Sequence, residues 1–379
     1  MIARLGFPFP YGVHGGEAFA FQEDDDCARL PYRLVTEVET IRYVGMHTQL
    51  PVARIYVVDN DPSNPVGATY TLQQYLEGDV LAERWFPLSA DDHTQILQAI
   101  GAAYGQILAL KFDAFGSLSS HTAKDPIGPF SPPLATVFRS HDLADVGPWP
   151  ASEPFAPLMA LATREVSWLN DVSGRTFFKA MRQKLQPAED SDQALNACIA
   201  LAEGWLKIIP HLSSLFPLPT SAQRPTLSHA DFHFGNILVS RKKPTELTGI
   251  VDWEFSSVLP LWCCSTIPSI LVDIGDTYET DPVHRKEKAR WREVFGKAVV
   301  EACPDADIIY EPRDKVTQAS LRGLRLLFSL IVESTTLTSP LTGIQQHLTE
   351  IRECMTLAHG HEYGIQATDE TISVFSSYV

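Results

Sequence analysis

Ser228-His-Ala-Asp-Phe-His-Phe-Gly-Asn-Ile-Leu-Val-Ser240, then the polar turn Arg241-Lys-Lys-Pro-Thr-Glu246, then Leu247-Thr-Gly-Ile-Val-Asp-Trp-Glu-Phe255, is the stretch around which the chain is organised. Asn236 to Ser240 and Leu247 to Val251 are short apolar runs rich in β-branched residues. With a polar turn between them they have the pattern of a hairpin. The chemistry sits at its ends. His229-x-Asp231-x-x-x-x-Asn236 leads into the first strand, and Asp252 stands just past the second. Two carboxylates and a carboxamide delivered together suit phosphoryl transfer. One oxygen acceptor orients a hydroxyl, and two hard oxygen ligands hold a magnesium ion carried by nucleotide phosphates. The plain alternative is a hairpin with incidental polar residues in its loops.

His229-x-Asp231-x4-Asn236, followed by Ile250-Val-Asp-Trp-Glu254, resembles the motif pair of the aminoglycoside phosphotransferase (choline-kinase-like) family, in particular its fungal branch. The resemblance implies an α+β, two-lobed, protein-kinase-like fold, with a small β-rich N-lobe (residues 1–76) and a large helical C-lobe (77–379). The C-lobe would hold a catalytic loop at 228–240 and a metal-binding loop at 250–256. It implies ATP and Mg²⁺ as cofactors and a small-molecule hydroxyl as acceptor. Asp231 matches the catalytic base, and His229 the buried histidine that braces it. Asn236 and Asp252 match the magnesium ligands. Gln74, Tyr75 and Leu76 match the inter-lobe hinge, whose backbone receives the adenine.

The family also pairs a strand cation with a helix glutamate. Glu37, in Thr36-Glu-Val-Glu-Thr-Ile-Arg-Tyr-Val44, matches the glutamate on a helix expected from Tyr32 to Met46. Two arginines could be the cation, each inside an Ala-Arg-Leu tripeptide: Arg4 and Arg29. Arg29 would let residues 12 to 28, including Gly12-Val-His-Gly-Gly, supply a phosphate-covering hairpin, but leaves little chain in which to exit a strand and reach Glu37. Arg4 gives a generous connection, and the glycine-rich hairpin is then missing. The spacing favours Arg4. Arginine in place of lysine also replaces a point contact by a planar fork that prefers two partners.

Composition bounds the rest. The 379 residues suffice for one two-lobed domain, and 45% apolar content is ordinary for a globular chain. A formal charge of −16 speaks against non-specific binding to nucleic acid or anionic membrane. Cys27, Cys198, Cys263, Cys264, Cys303 and Cys354 show no metal-ligand or Cys-x-x-Cys spacing and read as free thiols. With no stretch near the ~20 apolar residues of a bilayer span and no signal-peptide pattern, the expected compartment is the cytoplasm. Further strands are expected at 50–58 and 68–76. Helices are expected near 89–111, 156–170, 175–186, 191–209, 283–302, 313–336 and 342–358, with a mobile tail after His359.

Two other functions compete. A non-catalytic kinase-like binding protein would explain the irregular N-terminus and the arginine. A metallohydrolase would use His229-x-Asp231-x-His233, although His47, His93 and His121 offer no evident further ligands.

Overall fold

The computed structural model describes residues 1–6, 23–130, 146–264, 271, 282–312, 314–332 and 340–359, with backbone only at 5–6, 23–31, 282–283, 332 and 359. Small sheets and a larger helical part make an α+β architecture. Two compact units divide the chain, the first joining 1–131, 226–258 and 266–306, the second 132–225, 259–265 and 307–379. The lobe boundary expected at residue 76 falls inside the first unit.

The first unit opens with strand β1 (Ile2–Gly6) and helix α1 (Glu23–His47). The helix starts nine residues before the expected Tyr32 (32 − 23). Glu23 to Asp26 make its first turn. Carboxylates are favoured there because the N-terminal end of a helix carries partial positive charge. Leu34, Val38, Ile41 and Val44 form its buried stripe. Strands β2 (Ile55–Asp59) and β3 (Thr69–Gln73) complete an antiparallel sheet of order β1-β3-β2, with Arg4 opposite Thr71. Pro51 delays the start of β2 relative to the expected Leu50, since proline has no N–H to give to a ladder.

The hairpin forms as the pattern predicts. Strands β4 (Asp79–Val80), β5 (Ile237–Val239) and β6 (Leu247–Ile250) pair in the order β6-β5-β4, with Ile237 opposite Ile250 and Leu238 opposite Val80. The ribbon is thereby tied to the segment that follows Leu76.

Helix α2 (Ala90–Ala109) backs this assembly. Ser89 and Asp92 exchange side-chain and backbone hydrogen bonds in a capping box. Ile96, Leu97, Ile100, Tyr104, Ile107 and Leu108 are all fully buried. Helix α3 (Pro282–Ala302) lies across it so closely that a Cβ at Gly101 would stand 2.6 Å from the Phe295 carbonyl oxygen. Glycine costs a helix about 1 kcal/mol relative to alanine, and this backbone approach is what it permits. Trp85 sits in an aromatic cluster with His93, Phe234 and Trp291, at centroid distances of 4.2, 4.6 and 5.0 Å. The 228–240 stretch therefore rests on an aromatic floor.

The second unit is helical where described. Helices α4 (Ala156–Asn170), α5 (Val172–Leu185) and α6 (Ser191–Ile208) pack together. Asp171 and Asp190 cap α5 and α6 by accepting from backbone N–H groups. Helices α7 (Lys315–Val332) and α8 (Leu341–His359) form an adjacent pair. Arg182, fully buried, ion-pairs with Glu189, which also accepts from the Leu341 N–H at 2.8 Å. Cys198, Cys263, Cys264, Cys303 and Cys354 are free thiols. The expected glycine-rich segment at 12–28 and the expected tail after His359 lie outside the described residues or are described in backbone only. No helix among the described residues is long and apolar enough to cross a membrane.

Candidate functional site

All the predicted site residues with described side chains lie in the first unit. At the floor is His229, with no exposed surface. Its Nε2 donates to the Val251 carbonyl at 3.1 Å, and its Nδ1 accepts from the Asp231 N–H at 3.3 Å. That pattern fixes the neutral tautomer with the proton on Nε2. Burial pushes the pKa of His229 down to about 4, although the carboxylates of Asp252 and Asp231 both pull it upward. The imidazole thus links the Asp231 backbone to the end of β6.

This burial has a stability consequence. The unfolded histidine titrates near 6.5 and the folded one near 4, so the contribution is complete above 6.5 and is lost as pH falls toward 4. Between pH 7 and pH 5 the protein should lose about 2 kcal/mol of unfolding free energy from this group. Urea denaturation of the wild type and of His229→Phe at both pH values checks this, the variant showing the smaller drop.

Asp231, by contrast, is more than half exposed. Two neighbours hold its Oδ2. His233 Nε2 lies 3.1 Å away, and Asn236 Nδ2 donates to it at 3.1 Å and to the Asp231 carbonyl at 3.0 Å. His233 is itself oriented by the Gly235 N–H, which donates to Nδ1 at 2.9 Å. A Cβ at position 235 would stand 2.5 Å from the imidazole Cε1, so only glycine leaves room for that ring. With both amide hydrogens of Asn236 directed at Asp231, its Oδ1 is the atom left for a cation.

Asp252 is the next residue along from Val251, whose N–H donates to the Asn236 carbonyl at 3.0 Å. Its φ of +63° is the left-handed region, which Asp tolerates and most side chains avoid. Phe255 has φ +60°, where a bulky residue costs roughly 1–2 kcal/mol. Between them Trp253 is buried, with its indole N–H donating to the Ile250 carbonyl at 3.0 Å. Asp252 Oδ1 accepts from Arg4 Nη2 at 2.7 Å, leaving Oδ2 as its second oxygen.

The Arg4 guanidinium meets three carboxylates. One nitrogen pairs with Glu37, and the other reaches Asp252 and, at 3.4 Å, Glu254. Glu37 is buried on α1, and burial raises its pKa to about 7 against the pull of Arg4. The second candidate cation, Arg29, lies within α1 and not on a strand, and its side chain lies outside the described residues. Glu254 also meets Arg33 Nη2 at 3.7 Å. Arg33 was not singled out in the sequence. Its position four residues before Glu37 on a helix, hence on the same face, was the available signal.

Of the expected hinge residues, Gln74 uses its N–H on the Arg54 carbonyl at 2.8 Å and Tyr75 is exposed. Leu76 has no hydrogen-bond partner for its backbone among the described residues.

The oxygen donors fit magnesium. Asn236 Oδ1 and Asp252 Oδ2 are hard oxygens of the kind that ion takes, and two of them would suit an ion that completes its shell with water and phosphate. The metallohydrolase reading finds no such support, because His229 and His233 spend their ring nitrogens on backbone and Asp231. Among the described residues no group of three or more His, Cys, Asp or Glu is arranged to hold an ion.

The chain has relatives among known proteins. A subtelomeric hrmA-associated cluster protein of Aspergillus fumigatus is 25% identical over 283 residues, covering 63% of this chain and 53% of the relative. The Kluyveromyces lactis protein named Altered inheritance of mitochondria protein 9, mitochondrial, is 24% identical over 68% of this chain and 46% of its own length. The chain thus spans about half the length of the curated relatives it matches. The ADP-bound crystal structure of aminoglycoside phosphotransferase APH(2'')-Ib aligns over 91% of this chain and 85% of that one, at 12% identity and a TM-score of 0.42.

These names overturn the cytoplasmic expectation, since several relatives, including those of Eremothecium gossypii and Meyerozyma guilliermondii, are designated mitochondrial. Free thiols report a redox environment and not an address. Delivery to an organelle is encoded in targeting segments that fold chemistry does not reveal. The profile described as APH, phosphotransferase enzyme family, matches residues 28–263, which include His229, Asp231, the ribbon and Asp252, and the chain therefore belongs to that family.

Proposed function

We propose that this protein transfers the γ-phosphoryl group of ATP to a hydroxyl of a small molecule. The observation that carries the reading is that Arg4 on β1 joins Glu37 and Asp252 while Asp231 and Asn236 are bound to each other on the same unit. A cation held between strand and helix is suited to nucleotide phosphates. The backbone of Leu76 is suited to the edge of a purine base. Asn236 Oδ1 and Asp252 would hold Mg²⁺, which when bound neutralises charge on the phosphates.

Asp231 accepts the hydrogen bond of the acceptor hydroxyl and aligns its oxygen for in-line attack. As the new oxygen–phosphorus bond forms, the bond from the γ-phosphorus to ADP breaks. The hydroxyl proton passes to Asp231 and then to solvent. The protein's part is positioning and charge neutralisation, which carry most of the barrier lowering in this reaction class.

A second reading, a nucleotide-binding protein without turnover, draws on the Arg4 to Asp252 contact, which places a guanidinium on a carboxylate the metal would need. One experiment separates the two. The full chain is screened with radiolabelled ATP and Mg²⁺ across sugars, amino alcohols, choline and aminoglycosides, with Asp231→Asn as the blank. Labelled product above the blank supports transfer. Metal-dependent ATP binding with no labelled product and no ATP hydrolysis supports the second reading. Absence of any ATP binding sinks both.

A further inference from the structure

We infer that Arg33 is a positioning residue that holds the Asp252–Phe255 loop in the shape that presents Asp252, an inference that rests on the phosphotransferase reading above. The loop has two non-glycine residues in the left-handed region, Asp252 at φ +63° and Phe255 at φ +60°. A backbone of that kind persists only where its surroundings over-determine it. Its first half is secured by Trp253, whose ring is buried and whose indole N–H is bonded to Ile250. Asp252 itself is met by Arg4.

In the far half Arg4 also reaches Glu254 at 3.4 Å, and Arg33 adds a second anchor that takes Phe255 as well. Its Nη2 reaches Glu254 Oε2 at 3.7 Å, while its guanidinium carbon lies 4.5 Å from the centre of the Phe255 ring. One planar group therefore touches two consecutive residues, the carboxylate with a nitrogen and the aromatic ring by cation–π attraction. The side chain is only 14% exposed, so the contact is shielded from solvent. A lysine ammonium is a point charge on a flexible stem and cannot reproduce both contacts from one position. Arg33 and Glu37 are four residues apart on α1, so the helix that carries the Arg4 partner also carries this clamp. Helix and loop are thereby registered to each other at two points.

The test uses the full chain, with Mn²⁺ and ADP as probes. In Arg33→Met, hydrogen exchange in the peptide spanning 253–258, which contains the Ser256 N–H bonded to the Trp253 carbonyl at 3.3 Å, should accelerate about tenfold. Affinity for Mn²⁺·ADP should fall about tenfold, as when an outer partner of a metal ligand is removed. Affinity for ADP without metal, exchange in α2, and the melting temperature should stay near wild type. Arg33→Lys should recover part of both losses. Unchanged exchange in Arg33→Met overturns the inference. So does faster exchange with undiminished Mn²⁺·ADP affinity, since the loop would then be held for no purpose at Asp252. If exchange accelerates but the wild type itself binds no Mn²⁺·ADP, the clamp stands and the phosphotransferase reading falls.

Discussion

Replacing Asp231 by asparagine should lower the rate of phosphoryl transfer by about a thousandfold, within the range set by loss of a positioned base. The nucleotide affinity should remain that of the wild type. The reason lies in the polarity of the neighbours. Oδ2 of Asp231 receives Asn236 Nδ2 and His233 Nε2, each at 3.1 Å. An asparagine here turns its one carbonyl oxygen toward those two donors, because an amide nitrogen facing them would be left without an acceptor. Its NH₂ group then occupies the place of the oxygen that faces the substrate. An acceptor hydroxyl would meet a donor in place of a base, with the shape of the loop otherwise unchanged. Single-turnover kinetics beside calorimetry with ADP would measure the split. A variant that turns over within tenfold of wild type would remove Asp231 from the role of base.

Asp252→Asn should raise the apparent KM for Mg·ATP by about one to two orders of magnitude, the scale of losing a charged ligand and its attendant order. Asparagine is the informative substitution because, like aspartate, it tolerates φ +63°, so the loop is not asked to refold. Alanine at that position would mix strain with loss of charge. Arg4 loses one of three carboxylate partners and keeps the ion pair to Glu37. A magnesium titration at fixed ATP should therefore shift to higher concentration, with ADP affinity in chelator unchanged. Wild-type magnesium dependence in this variant would move the metal site elsewhere.

What the sequence made legible was local and strongly patterned. The ribbon followed from two β-branched runs and a polar turn, and the helix at 156–170 from its apolar period. His229, Asp231, Asn236 and Asp252 were legible as a spacing, because the ribbon converts that spacing into proximity. Less legible was the cation. Ala3-Arg4-Leu5 and Ala28-Arg29-Leu30 are the same tripeptide, so no local preference separates them. The pairing of Arg4 with Thr71 across the sheet decides which one faces Glu37, and that contact is non-local. Arg33 escaped for the same reason, since its partners Glu254 and Phe255 lie more than half the chain away. The start of α1 at Glu23 was hidden because four acidic residues are as common in turns as in a helix's first turn.

Two indoles bracket the proposed base and metal ligands: Trp85 packs on Phe234 and Trp253 packs on His229, each at a centroid distance of 4.6 Å. Emission from these rings is sensitive to small changes in ring environment, so the protein carries its own optical gauge at that point. With seven tryptophans in the chain, a change in the protein's own light on adding nucleotide that is lost when these two rings are replaced would report occupancy of this unit.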